Sequence, residues 1–228
     1  MRLFIDSHVH IYPVYDPGTM FARFASRALT DYGADAGVMM LAQREGAPNP
    51  PPLPPGVADI TVIPGRQIAC AERVEILALG TETTFKDGIP ARDAVRAAFD
   101  AGALPVLAWG VGKWMFKRAK VVEDLLAAFK PSELAIGDTS MRPVFWPEPR
   151  LMRQARNAGY RILHGSDLLP PKDEETRAGQ FGDIIDTADF DPSSPPVPQI
   201  LNLLRTAPLA TAGRRAGPLE FARRMTGK

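Results

Sequence analysis

The chain has 228 residues, of which 45% are hydrophobic and 23% charged, as is ordinary for a globular protein with one substantial core. It carries 27 Lys and Arg against 26 Asp and Glu, so no overall charge favours nucleic acid or a membrane surface as a partner. The single cysteine excludes an internal disulfide. The N-terminus becomes charged too early for a signal peptide, and no stretch is apolar for long enough to span a bilayer. We therefore expect one cytoplasmic domain over residues 1–228.

Predicted strands and helices alternate along the chain. The apolar runs predict strands at residues 3–5, 38–41, 60–69, 74–79, 104–108, 134–136, 160–163 and 184–185. Helical spacing of apolar residues predicts helices at 19–32, 92–101, 121–129, 151–155 and 197–204, the first capped by Thr19 and stopped by Gly33. A proline-rich loop at 43–58 and a basic tail at 206–228 complete the chain, and we interpret the tail as a solvated surface.

This alternation favours parallel βαβ units over sandwiches or helix bundles. An open doubly wound sheet also fits, but no glycine-rich G-x-G-x-x-G turn follows the first strand, so a dinucleotide fold has little support. Seven or eight such strands favour a closed or distorted α/β barrel. In these barrels the chemistry lies on the loops after the carboxyl ends of the strands.

Two of the three histidines, His8 and His10, directly follow the first predicted strand. Residues two apart in an extended segment point the same way, so both imidazoles can converge on one metal ion. Imidazole is the commonest metal ligand among side chains, and a carboxylate often completes such a site. The alternative is a pair of histidines that only satisfy hydrogen bonds in a loop.

Asp167 is the candidate for the missing carboxylate. It follows the predicted strand 160–163 within the segment His164-Gly165-Ser166-Asp167, so it should lie at the same end of the barrel. There it can bind the metal or act as a base toward a water molecule. The alternative is a capping or turn role at a strand–loop junction.

Three cationic side chains are candidates for binding an anionic substrate. Arg142 can hold a phosphate or carboxylate in a bidentate manner, with Asp138 orienting it, although an ion pair that closes the barrel mouth explains the two equally well. Lys113 follows glycines after the strand 104–108, where backbone N–H groups also favour an anion. Arg66 is the third.

The pattern resembles the PHP family, the polymerase and histidinol phosphatase-type metallohydrolases. The motif Asp6-Ser7-His8-Val9-His10, residues 63–68 leading into 74–80, and Gly165-Ser166-Asp167 carry the resemblance over the first 170 residues. The resemblance implies a distorted TIM-like (β/α)7 barrel of PHP type. It also implies that His8, His10 and Asp167 are the ligands of one metal in a larger cluster. A more distant similarity to the amidohydrolases rests on the same H-x-H and late Asp.

The sequence departs from the family pattern at positions where further metal ligands are expected. Gln43 stands near the family's Asp-His, Gln67 replaces a Glu, Glu75 and Trp109 replace His residues, and Leu169 replaces a late His. Glu75 is itself a further candidate ligand. The resemblance therefore implies a degenerate member with a reduced site, holding a single divalent ion such as Zn, Mn or Fe, or no ion.

The leading prediction is a metal-dependent hydrolase that acts on a phosphoester in a small anionic substrate. Asp167 is its predicted catalytic residue, and the predicted substrate-binding residues are Arg142, Asp138, Lys113, Arg66 and His164. The alternative is a catalytically inactive PHP-like barrel that binds an anionic ligand or a protein partner. Amidohydrolase-like chemistry would need a late His or a bridging Lys that the sequence does not offer. We expect neither membrane association nor nucleic-acid binding.

Overall fold

The computed structural model describes residues 1–48, 50–55, 57, 59–171 and 173–226. The strands are β1 (Arg2–Val9), β2 (Ala36–Leu41), β3 (Ile60–Ile63), β4 (Gly65–Ala69), β5 (Glu75–Leu79), β6 (Leu104–Ala108), β7 (Ala135–Thr139), β8 (Ile162–Gly165), β9 (Phe181–Asp186) and β10 (Ala210–Gly213). The α-helices are α1 (Pro17–Ala25), α2 (Ala91–Asp100), α3 (Lys117–Ala128), α4 (Arg150–Asn157), α5 (Pro196–Thr206) and α6 (Pro218–Thr226). None of the helices in these ranges is long and apolar enough to cross a membrane.

The strands form two five-stranded sheets, in the orders β10-β9-β1-β2-β3 and β4-β5-β6-β7-β8. The mixed α/β architecture agrees with the prediction, but the strand pairing in the described ranges does not close into the single seven-stranded barrel that we expected. Alternate residues of both sheets face one shared buried core, which includes Leu3, Met40, Leu77, Val106 and Leu163. Helices α1 to α4 pack on the outer faces, whereas α5 contributes Ile200, Leu201, Leu203 and Leu204 to the shared core.

Pro64 separates the two sheets where the sequence predicted one strand over 60–69. Proline has no N–H to donate to a sheet, and the chain passes there from β3 in one sheet to β4 in the other. The sheets nevertheless meet next to this break, where Gln43 and Arg66 form a parallel bridge. On the opposite side β8 approaches β1, since the Asp167 N–H donates to the His8 carbonyl at 2.9 Å.

The expectation of purely parallel strands is wrong for two of the elements. β5 runs antiparallel to β4 and β6, and β9 runs antiparallel to β1 and β10. The reversal of β5 pairs Glu75, at its amino end, with Ala108 at the carboxyl end of β6. Glu75 therefore reaches the same end of the fold as the loops that follow the parallel strands.

Two predictions at the ends of elements also need correction. Helix α1 is capped by Asp16, whose carboxylate accepts the Thr19 N–H at 2.8 Å, and not by Thr19 itself. The basic tail contains β10 and α6, and its Arg224 is buried rather than solvated. The described part of the proline-rich segment 43–58 contains no helix and no strand, as predicted; its one sheet-like contact is the isolated bridge of Gln43.

Candidate metal centre

His8 and His10 stand at the carboxyl end of β1, which continues to Val9. Both side chains are buried, and their Nε2 atoms lie 3.1 Å apart. The alternation of the strand turns Val9 to the other side, into an apolar cluster with Met39 and Leu41. The spacing in the sequence therefore gives the convergence of the two imidazoles that it predicted.

Asp167 completes a group of three side chains. Its Oδ1 lies 3.6 Å from Nε2 of His8 and 3.7 Å from Nε2 of His10. A point equidistant from the three atoms is about 2.0 Å from each of them, which is the length of zinc bonds to His nitrogen and carboxylate oxygen. No other group of three or more His, Cys, Asp or Glu side chains in the described ranges has such spacing. The three residues fit a single divalent ion.

The protonation states suit a cation. Burial, with a smaller effect of His8, lowers the pKa of His10 to about 3, so its imidazole is neutral at pH 7 and can offer a lone pair. Burial raises the pKa of Asp167, but attraction by His8, His10, Lys113 and Arg224 outweighs it and brings the pKa below its ordinary value. The site thus presents a neutral imidazole beside an ionised carboxylate.

The two histidines lack the supporting hydrogen bonds that metal ligands usually have. Nδ1 of each ring is buried and has no hydrogen-bond partner among the described residues. Ligand histidines usually donate this second N–H to a carboxylate or carbonyl, which strengthens metal binding. Gln67, at the position of a family carboxylate, lies with Oε1 3.3 Å from Nε2 of His8. The reduced site that Gln67 led us to predict stays a prediction.

Asp6 supports the site from the side of β1 away from the cavity; the sequence placed it in the first motif but gave it no role. Its buried carboxylate accepts N–H groups from Ser166 at 2.9 Å, Gly179 at 3.0 Å and His8 at 3.2 Å. Burial raises the pKa of Asp6 to about 6, although these hydrogen bonds oppose the shift. The carboxylate therefore ties β1 to the loop that carries Asp167.

Arg224, from α6, holds that loop from the other side. Its guanidinium donates to the Glu174 carboxylate at 2.7 to 3.1 Å, to Oγ of Ser140 at 2.9 Å and to the backbone carbonyl of Asp167 at 3.0 Å. Asp167 has a φ of 50°, in the left-handed region that a non-glycine residue seldom adopts. The hydrogen bond from Arg224 to the Asp167 carbonyl and the hydrogen bond from the Asp167 N–H to the His8 carbonyl fix this conformation. They thereby position the Asp167 carboxylate.

Glu75 and Lys113 form an ion pair at the mouth of the site. Both line a cavity of about 260 Å³ together with His10 and Asp167. Glu75 does not join the three-residue group, so its predicted role as a metal ligand stays a prediction. Lys113 is where we expected it, beside the candidate ligands.

The other predicted substrate-binding residues lie apart from this cavity. Asp138 and Arg142 form a buried bidentate ion pair at 2.5 and 2.8 Å, and His164 donates from Nδ1 to buried Asp183 at 2.6 Å. Asp138, Arg142 and His164 line an open cavity of about 640 Å³ that His8, His10 and Asp167 do not line. Arg66 lines a further cavity, next to Gln67.

No family model matches this sequence, and no curated protein sequence matches it. The fold is similar to that of PsfC from Pseudomonas syringae, with 14% identity, a TM-score of 0.53, and coverage of 90% of this chain and 98% of PsfC. A two-domain protein from Bacteroides vulgatus that contains a predicted PHP-like metal-dependent phosphoesterase gives 14% identity and a TM-score of 0.52, over 94% of this chain and 65% of that one. The lesion-specific endonuclease PfuEndoQ from Pyrococcus furiosus gives 13% identity and a TM-score of 0.56, over 93% of this chain and 59% of PfuEndoQ.

At such identities the likeness concerns the fold. The chain shares a PHP-like fold with these structures, as the motifs predicted. Its place in the family as a degenerate member and the distant similarity to amidohydrolases stay predictions.

Proposed function

We propose that this protein is a metal-dependent hydrolase of the PHP type that acts on a phosphoester with a single divalent ion. The observation that carries the proposal is the spacing of the His8, His10 and Asp167 ligand atoms, which matches the bond lengths of one ion. The PHP-like fold supports it, because one structural neighbour contains a predicted PHP-like metal-dependent phosphoesterase.

When bound, a divalent ion such as Zn, Mn or Fe supplies Lewis-acid activation of water and of a phosphoryl oxygen. His8 and His10 would hold it through Nε2, and Asp167 would contribute negative charge through Oδ1. The second oxygen of Asp167 is then the acceptor for a proton of the attacking water.

The cavity beside these ligands suits an anionic group. Lys113 and Arg44 both line it, and Glu75 holds the Lys113 ammonium in place. A phosphoryl group at the ligands would meet these two cations, which stabilise negative charge as it develops. Arg142 lines a different cavity, so we assign the binding of the anionic group at the metal centre to Lys113 rather than to Arg142.

Elemental analysis of protein purified without a His-tag tests the proposal. We expect about one equivalent of metal per chain, and its loss in His8→Ala and Asp167→Asn. His164→Asn is the matched control, because it changes the third histidine but keeps an amide donor for Asp183. Hydrolysis of p-nitrophenyl phosphate and bis-p-nitrophenyl phosphate should follow the metal content.

Wild-type protein without stoichiometric metal, and without activity after addition of Zn, Mn or Fe, would contradict the proposal. The inactive anion-binding barrel would then be the better interpretation, and it predicts that His8→Ala leaves the thermal stabilisation by phosphate unchanged.

A further inference from the structure

A second cavity adjoins the metal centre and has no role in the function proposed above. We call it the distal pocket; it has a volume of about 440 Å³ and is lined by residues 43–47, by Arg66 and Gln67 of β4, and by residues 84–86. Arg44 and Gln67 line both this pocket and the cavity of His10 and Asp167. Since Oε1 of Gln67 is 3.3 Å from Nε2 of His8, the distal pocket begins one side chain away from the candidate metal ligands.

The distal pocket is cationic. Arg44, Arg66 and Lys86 line it, and none of them has a carboxylate within 4.0 Å among the residues that the structure describes. Glu45 is the acidic residue of the lining, and its carboxylate accepts the N–H of Asp87 at 2.9 Å. Other arginines of the chain, such as Arg142 and Arg224, have carboxylate partners. The positive charge of the distal pocket is thus largely uncompensated.

Arg66 supplies the most specific sign of a ligand. One of its Nη atoms donates to the Glu82 carbonyl at 3.3 Å, whereas its Nε is buried and has no hydrogen-bond partner in the described ranges. The Nε is sealed from the pocket, but the second Nη of Arg66 is accessible and also lacks a partner among the described residues. The N–H groups of this Nη and the charge of Lys86 together suit the oxygens of a phosphate in the pocket.

We infer that the substrate is a small molecule with two phosphate groups, one reacting at the metal centre and the other held in the distal pocket by Arg66 and Lys86. The position of the first phosphate rests on the proposed function, while the affinity of the distal pocket for an anion does not. A simple phosphomonoester would leave Arg66 and Lys86 without a partner. The two cations therefore select substrates by the group that does not react.

Calorimetric titration tests this with two probes, butyl phosphate and 1,4-butanediol bisphosphate. Metal-loaded wild-type protein should bind the bisphosphate at least about tenfold more tightly, the gain expected of one charge-assisted contact. Lys86→Ala should remove most of this difference and leave butyl phosphate unchanged. Arg66→Gln should act in the same way. Lys130→Ala is the matched control, because Lys130 is exposed before β7, at the opposite end of the strands.

His8→Ala separates this inference from the proposed function. If only the metal centre is misassigned, the bisphosphate still binds to His8→Ala, and adding Lys86→Ala to this variant still weakens the binding of the bisphosphate. Equal affinity of the wild type for both probes would overturn the inference, as would a difference that survives both Lys86→Ala and Arg66→Gln. Tighter binding of a single-stranded oligonucleotide than of the bisphosphate, lost in the same variants, would also overturn it by assigning the pocket to a nucleic-acid backbone.

Discussion

Replacing Arg224 by Met should release α6 and loosen the metal centre at the same time. Methionine keeps the apolar stem of the side chain but removes a guanidinium that is 2% exposed and bonded to Glu174, itself 8% exposed. Breaking a buried ion pair by removing one partner costs about 3 to 5 kcal/mol. Arg177 still lies 3.0 Å from Glu174 after the change, so we expect the lower end, about 3 kcal/mol in the free energy of unfolding.

The same variant should weaken metal binding because the Asp167 carbonyl loses its donor. Loss of a hydrogen bond that orients a metal ligand typically reduces metal affinity about 10- to 100-fold. The Asp167 N–H still donates to the His8 carbonyl after the change, so we expect a loss of about tenfold. Urea unfolding measures the first effect, and competition with a chromophoric chelator the second. Arg223→Met is the control, because Arg223 is the exposed neighbour on the same helix. Equal stability and equal metal affinity of the two variants would refute the anchoring role of Arg224.

Gly165→Ala should lower the free energy of unfolding, measured by urea titration, by at least about 2 kcal/mol, because a Cβ there would overlap the backbone and Cβ of His8. Gly217→Ala is the control and should leave this free energy unchanged, because Gly217 has open space around it. Burial raises the pKa of Glu220, but hydrogen bonds from Arg214 and Gln180 outweigh burial, so the pKa in the folded protein lies below the ordinary value of 4.5. The ionised Glu220 therefore stabilises α6 fully above a pH of about 4.5, and this stabilisation is lost as the pH falls through the pKa of the folded protein. The protection factors of the amides of residues 218–226 against hydrogen exchange should therefore fall below pH 4.5, and protection factors that do not change with pH would contradict this. Chelation should lower the Tm, because a metal at 100 times its Kd adds about 2.7 kcal/mol; an unchanged Tm would count against a bound ion.

The sequence predicted the parts of the site that depend on local spacing. His8 and His10 are two residues apart at the end of a strand, and Asp167 follows another strand at the same end, so their spacing and the barrel rule predicted the group. Strict alternation from the core residues Leu3 and Ile5 would have turned the two histidines outward; the shift of register between Asp6 and Val9 reverses the alternation. Alternation could also have placed His164, because the preceding Leu163 faces the shared core and the next residue must face outward. That signal explains why His164 lines a cavity away from the candidate ligands.

Other features depend on contacts between distant segments and leave little trace in the sequence. Arg224 bonds to Glu174, 50 residues away, and to Ser140, 84 residues away, and nothing local distinguishes it from exposed Arg223. The reversed direction of β5 is equally hidden, because a strand's apolar pattern is the same in either direction. The break at Pro64 had a local signal, the missing N–H, that a prediction of one strand over 60–69 overlooked.

Anomalous diffraction from crystals of metal-loaded protein shows directly whether His8, His10 and Asp167 hold an ion. We expect one anomalous peak per chain, about 2.0 to 2.2 Å from Nε2 of His8, Nε2 of His10 and Oδ1 of Asp167. Crystals grown with Zn, Mn or Fe that show no peak between these atoms, or that hold the ion elsewhere, would contradict it.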